Sequence, residues 1–347
     1  MIKEEITFPS SEAGETIFGE IFLPYGEVKG IVQFAHGMCD YGSRYGHLFK
    51  ELTDHGYVAA YADHLGHGHS VADPEDLGYF SARDGHKKIA ADFNTFYELL
   101  DEKFPNEKHY IMGHSMGSFV VRYFMGEYRH ENMAGAILMG TCGFNPLAGV
   151  GAAMAAVIAL IKGGYYRSTF LENLAFGKYN KRIEEPVSFW DWLSRDEAAV
   201  EGFDTDDLRN RTFTAAGFKD LFTFVNIVNS RSFIEETPRE LPILILSGEE
   251  DPLGEYGKGI RKLEGILEAL DFSDVTVKLF PEARHELCHE LNCYEVFDTI
   301  LLWLSQHANT EVCLTFPAEL EDPFEDDFPD DEDKEIDTEE DEKTQRR

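Results

Sequence analysis

Residues 113–117 read Gly113-His114-Ser115-Met116-Gly117, a serine with a glycine two places away on each side. A serine hydroxyl is a weak nucleophile near neutral pH and needs a base to take its proton. Glycines at those two positions suit a tight strand-to-helix turn, where side chains would collide. Such a turn exposes the hydroxyl and leaves backbone N–H groups at the helix start. The spacing points to acyl transfer through Ser115, with the Met116 N–H as one donor to a developing oxyanion. The base in turn needs a carboxylate to fix its tautomer and stabilise the imidazolium. Two later stretches supply them: Ser247-Gly248-Glu249-Glu250-Asp251-Pro252-Leu253-Gly254 and Pro281-Glu282-Ala283-Arg284-His285-Glu286. Asp251 is the preferred acid, because Pro252 stiffens the turn and Gly254 opens it beyond; Glu249 and Glu250 are the fallback. His285 is the base.

The elements that must position these groups follow from the apolar pattern. Residues 16–23 read as an early strand, antiparallel to its neighbour, and 30–35 (GIVQFA) as a continuous apolar strand ending at His36-Gly37. Met38, just past that strand, is the second oxyanion donor, since Gly37 lets the backbone turn sharply. A helix over 44–55, a strand over 57–61 and a helix over 87–103 come next. Ser115 lies between a strand over 109–112 and a helix over 116–128, and another strand covers 136–139. From 143 to about 239 the pattern is helical, with no clear buried strand. Strand and helix alternate again at 241–246, 257–270, 275–280 and 294–306. This is an α/β pattern: a mostly parallel central sheet flanked by helices, with a helical cap inserted mid-chain. The expected division is a core over 1–142 and 240–309, a cap over 143–239 and an acidic, disordered tail over 310–347.

Other residues compete for chemical roles. His285-Glu286-Leu287-Cys288-His289 matches H-E-x-x-H, a zinc-peptidase signature when both histidines share one long helix. That reading needs such a helix and a third ligand, and it leaves the Ser115 turn unexplained. His36 is expected to brace its loop by hydrogen bonds. Asp63 and Ser70 are expected to pin the glycine-rich turn between them.

The totals exclude some classes. The 347 residues carry a formal net charge of −34, which argues against nucleic acid as a partner. Residues 317–347 hold 16 Asp/Glu and 4 Lys/Arg, a self-repelling composition with little to bury. The start, MIKEEITF, has no apolar run behind a basic region, so no secretory segment is expected. Five scattered cysteines, without CxxC spacing, fit a reduced, cytoplasmic compartment. The apolar stretch 146–161 (PLAGVGAAMAAVIALI) is short for a membrane span. It leaves three readings open: an acyl-tunnel wall, a face for transient lipid contact, or a packed cap helix.

Several segments together carry a resemblance: HGMCDYGSRY (36–45), ADHLGHGHS (62–70), GHSMGS (113–118), GEEDPLGEYG (248–257) and EARHELCHE (282–290). The chain resembles the monoacylglycerol lipase and lysophospholipase group of α/β-hydrolases, related to the serine aminopeptidase-like family. LAFGKYNKR (174–182) and DWLSRDEAAV (191–200) look like its bacterial lysophospholipase-like branch. The resemblance implies Ser115, Asp251 and His285 as triad and Met38 and Met116 as oxyanion donors. It implies no metal or organic cofactor and a small acyl-ester substrate, a monoacylglycerol or a lysophospholipid. Asp40 stands where the group often has Glu, Leu65 where Arg is frequent, and Ser118 where Gly is common. A peptidase or amidase with the same triad, and a binding module on the same fold, are the alternatives; a module of that kind tends to lose triad members, and all three are present.

Overall fold

Short apolar runs bounded by glycine, proline or charge become strands buried on both faces when helices cover the sheet. The computed structural model describes residues 1–209 and 212–308. Among these, eight strands form one sheet: β1 (Ile2–Pro9), β2 (Thr16–Leu23), β3 (Gly30–Ala35), β4 (Tyr57–Ala62), β5 (His109–His114), β6 (Met133–Met139), β7 (Ile243–Gly248) and β8 (Val275–Phe280). Their spatial order is β1-β2-β4-β3-β5-β6-β7-β8. β2 runs antiparallel to β1 and β4, and the remaining pairs are parallel. Every residue of β3, β5 and β7 is buried, as their unbroken apolar runs require.

β1 has no counterpart in the sequence reading, which places nothing before residue 16. Its IKEEITFP carries three consecutive charges and is mostly exposed. It closes one edge of the sheet, where charge discourages pairing with another chain.

α1 (Gly46–Asp54), α2 (Gly85–Lys103) and α3 (Met116–Glu127) connect the first strands. Between β6 and β7 the chain makes a long excursion through α4 (Ala148–Lys162), α5 (Thr169–Phe176), α6 (Glu197–Thr205), α7 (Ala215–Val228) and the single turn α8 (Arg231–Ile234). α9 (Lys258–Ala269) and α10 (Cys293–Ala308) complete the core. The expected elements are thus present, with ends shifted by a few residues. In the excursion the described residues form an isolated bridge, Arg167 with Thr214, but no named strand. The tail expected over 310–347 lies outside the described residues.

α4 packs on α7 and buries only Ala148, Gly151 and Ala155, small residues that let the helices approach closely. A Cβ at Gly151 would sit 3.1 Å from the Phe222 ring. α3 is buried along its length and carries Arg122 inward. That guanidinium donates to the Cys142 carbonyl (2.9 Å), the Val228 carbonyl (2.7 Å) and Asn229 Oδ1 (2.9 Å). Both stems of the excursion are therefore fastened to the helix that follows Ser115.

Strand order places the site. The chain moves from β3 outward to β4, returns to β5, then steps the other way to β6, β7 and β8. Where the order reverses, the loops leaving the strand ends part and open a crevice. Ala35 pairs with Gly113 and His114 with Met139, and the Gly248–Phe280 pair closes the β7–β8 ladder. The loops carrying 36–40, Ser115, 249–251 and 281–286 thus leave the same edge of the sheet.

Candidate active site

Ser115 sits at the turn between β5 and α3 with φ 53° and ψ −118°, a conformation a residue with a side chain rarely adopts. Such strain persists only where the surroundings enforce it. The turn is held by the Ser115 N–H to the Met139 carbonyl (2.9 Å) and by the Ser118 hydroxyl to the Ser115 carbonyl (2.6 Å). The flanking glycines are needed on steric grounds. A Cβ at Gly113 would collide with the Gly117 carbonyl, and one at Gly117 with the Ala35 carbonyl. Close packing of β3, β5 and α3 thus forces the hydroxyl outward.

Ser115 Oγ lies 2.9 Å from His285 Nε2, and His285 Nδ1 lies 2.9 Å from Asp251 Oδ2. A carboxylate only accepts, so Nδ1 carries the proton and Nε2 is left to accept from the serine hydroxyl. Asp251 is fully buried and His285 is 1% exposed, so their contact is shielded from water, while the Ser115 side of the ring faces a partly open site. Asp251 Oδ1 accepts the Leu253 N–H at 2.8 Å, fixing the carboxylate plane. Glu249 and Glu250, the fallback acids, are exposed, and Glu250 pairs at the surface with Arg182. The Trp192 ring lies 4.9 Å from the His285 ring, centroid to centroid.

Met38 lies in the loop after β3, and Met116 is the first residue of α3. Gly37 brings that loop against the serine: a Cβ there would sit 3.4 Å from the Ser115 Cβ. Cys39 at φ 49° completes the turn. The loop is braced by His36, whose Nδ1–H donates to the Gly37 carbonyl (2.9 Å) while Nε2 accepts the His64 N–H (2.9 Å). The glycine-rich turn is pinned by Asp63, which accepts the Gly42 and His69 N–H groups (2.8 Å each). The Ser70 hydroxyl donates to the Asp63 carbonyl at 2.7 Å.

Behind these loops lies a buried charged cluster that sequence motifs do not reveal. Arg44 donates to Asp40 (2.9 Å) and Glu286 (3.1 Å), and Arg209 donates to Glu286 (2.7 Å). Burial alone would raise the two carboxyls, but Arg44 and Arg209 prevail and hold both below the usual carboxylate range. The Tyr45 hydroxyl stands between Asp40 Oδ2 (2.6 Å) and His114 Nδ1 (2.9 Å). His114 Nε2 lies 3.2 Å from the His285 carbonyl. Burial, with His285 close by, lowers His114 to about 4, so its ring is neutral. Asp40 and Arg44, four residues apart, carry the only local signal; Arg209 and Glu286 are far from them in sequence.

A narrow pocket opens on Ser115 and His285, walled by Met38, Phe176, Trp190, Trp192, Leu193 and Phe203 among others. No α4 residue is among its walls, so the tunnel reading of 146–161 does not hold for this cavity. α4 leaves Val150, Val157, Leu160 and Ile161 exposed, beside exposed Phe144 and Leu147. Among the described residues no helix is long and apolar enough to cross a membrane.

The H-E-x-x-H segment does not form the helix its metal reading needs. Only 287–289 make a 3-10 turn; His285 faces Ser115, whereas His289 lies 3.2 Å from the Arg44 carbonyl. Among the described residues no three His, Cys, Asp or Glu side chains are grouped to hold a metal ion.

The sequence pattern of the family described as "Serine aminopeptidase, S33" matches residues 26–292. A monoacylglycerol lipase of Mycolicibacterium smegmatis is 24% identical, over 85% of this chain and 94% of that one. A monoglyceride lipase of Saccharomyces cerevisiae is 23% identical, over 85% of this chain and 91% of that one. Among solved structures, a thermostable carboxyl esterase from Bacillus coagulans in complex with glycerol superposes with a TM-score of 0.83. It shares 26% identity and covers 89% of this chain and 99% of that one. The arrangement is the α/β-hydrolase fold.

Proposed function

Since this chain belongs to the serine aminopeptidase S33 family of hydrolases, we propose that it cleaves carboxylic esters through an acyl-enzyme on Ser115. The observation that carries the reading is the unbroken contact from Ser115 Oγ through His285 to buried Asp251. His285 Nε2 takes the hydroxyl proton as Ser115 attacks the ester carbonyl. The proton then passes to the departing alcohol, leaving the acyl group on Ser115. Water adds in the same way, and His285 protonates Ser115 Oγ as the acid leaves. Asp251 holds the ring and stabilises the imidazolium. The Met38 and Met116 N–H groups receive the oxyanion. No cofactor takes part.

The substrate we propose is an ester of a single acyl chain. Two relatives bear the names monoacylglycerol lipase and monoglyceride lipase, and the cavity at Ser115 is walled by aromatic and aliphatic side chains. A lysophospholipid is the second substrate in the same reading. Residues 143–239 act as a cap, with Phe176, Trp190, Trp192 and Phe203 reaching over the serine from it. The exposed apolar side of α4 gives the cap transient contact with lipid without insertion. A cytoplasmic setting fits Cys142, Cys288 and Cys293, free thiols among the described residues.

The test pairs a fluorophosphonate probe with Ser115→Ala. The unmutated enzyme is expected to be labelled at Ser115 and to hydrolyse aryl esters. Ser115→Ala should lose on the order of 10⁴-fold or more in kcat. Full turnover by the alanine variant, with no label on the parent serine, contradicts the reading. Since the family's name is that of an aminopeptidase, aminoacyl arylamides serve as the rival substrates; faster release from them than from fatty esters would make the enzyme a peptidase.

A further inference from the structure

We propose that Arg209 is a positioning residue: from the excursion it joins the loop presenting Met38 to the loop presenting His285. The inference rests on the reading of Ser115 as nucleophile and names a residue that no motif marks.

Arg209 is 1% exposed. Its Nη2 lies 2.7 Å from Glu286 Oε1, and Glu286 directly follows His285. Its Nε lies 3.4 Å from the Cys39 carbonyl and 3.7 Å from Asp40 Oδ1, in the two residues directly after Met38. The guanidinium plane rests 3.8 Å from the Phe203 ring centre, itself a wall of the cavity. Nη1 is buried with no hydrogen-bond partner among the described residues.

Charge balance explains why the cluster needs a second arginine. Asp40 and Glu286 carry two negative charges, and Arg44 and Arg209 two positive ones. The other titratable groups facing them include Tyr45, His36, His114, His289, Cys39 and Cys288, and His285 itself faces Asp251. Without Arg209 the cluster keeps one net negative charge close to His285. That charge favours the protonated ring, which cannot accept from Ser115, and it opposes the oxyanion forming at Met38 and Met116. Both effects fall on turnover.

The histidine loop has other ties to the excursion. The Glu286 N–H donates to the Leu193 carbonyl, and Arg284 donates to the Asp191 and Ser194 carbonyls, each at 2.7 Å. The loop therefore stays docked when Arg209 is replaced, and the effect of its charge is separable from folding.

The experiment compares the full-length protein with Arg209→Met and Arg209→Lys, using a soluble aryl ester, with folding checked by circular dichroism and thermal melting. In folded Arg209→Met, kcat is expected to fall on the order of tenfold to a hundredfold with KM within about threefold. The acid limb of its pH–kcat/KM profile should move to higher pH. Arg209→Lys, which keeps the charge, should recover part of kcat and return the acid limb to the parent position. A folded Arg209→Met with parent kcat and acid limb overturns the proposal. So does an equal loss in both variants with the acid limb unmoved, which is the behaviour of lost packing. If Arg209→Met does not fold, Arg209→Lys decides: a severalfold lower kcat with KM and melting temperature unchanged supports the bridge, and parent turnover, a loss that follows a lowered melting temperature, or failure to fold as well, overturns it. Labelling of the parent at Ser115 and inactivity of Ser115→Ala are the controls. If they fail, the nucleophile reading falls; if they hold and Arg209→Met behaves as the parent, only the positioning role falls.

Discussion

The residues around the serine show how burial sets protonation. His114 is lowered to about 4 by burial and by His285, and His67 to about 3 by burial and then by His36. In the unfolded chain both titrate near 6.5. Between about pH 6.5 and those folded values the unfolded chain binds more protons, so stability falls as the pH drops through the window. Each histidine contributes roughly 1.4 kcal/mol per pH unit there. Asp40 and Glu286, held low by their arginines, contribute stability that is whole above the ordinary carboxylate range and is lost as the pH falls through that range and below it. His69, half-exposed beside Asp63, has the opposite sign and offsets a small part. His64 and His289, also lowered by burial, act in the same direction, so urea denaturation is expected to give an unfolding free energy lower at pH 5 than at pH 7 by on the order of 4 kcal/mol or more. A flat profile across that range would show that these four histidines are not buried and neutral. At this scale the sequence is readable where chemistry dictates residue type: Ser115, Asp251 and His285 each follow a strand end, and the structure brings them within 2.9 Å contacts. Arg209 is not readable, because its partners come from two other loops and nothing near it in sequence requires a cation.

At the scale of elements, β3, β5 and α3 meet so closely that the turn tolerates no added atom. A methyl group at Gly117 would strike the carbonyl oxygens of Ala35 and His36, both backbone, which cannot swing aside. Gly117→Ala is therefore expected to lower stability by on the order of 3 kcal/mol and to abolish fluorophosphonate labelling. Thermal melting and gel-based labelling check the two parts; a stable, labelled variant would mean that the turn is looser than its geometry indicates. Strands such as β3 and β7 are legible as apolar runs because they are buried on both faces. β1 escapes such reading because it lies at an exposed edge, where the partner strand rather than apolarity defines it. α4 is legible as apolar and helical, but no pattern in 146–161 tells which side meets α7. The small Ala148, Gly151 and Ala155 turn inward and the larger residues outward, the reverse of ordinary amphipathic order.

For the whole molecule, that inversion places Val150, Val157, Leu160 and Ile161 in water on a chain with a net charge of −34. An apolar patch on a strongly acidic protein favours neutral or zwitterionic lipid and is repelled by anionic membranes. The double variant Leu160→Glu/Ile161→Glu is expected to sediment less with phosphatidylcholine vesicles while keeping turnover of a soluble aryl ester. Binding of the unmutated protein that is stronger to phosphatidylserine vesicles, or unchanged in the variant, would refute this.

Arg122 holds the Cys142 and Val228 carbonyls with one side chain, so the long detour leaves and rejoins the sheet at a single doorway. A foreign segment grafted there, with its ends kept together, need not disturb the spacing of β6 and β7. Such a chimera would nonetheless arrive without Arg209, leaving Arg44 alone to balance both Asp40 and Glu286. Exchanging the roof for one of another substrate preference would therefore succeed only with grafts that bring their own basic residue to that spot.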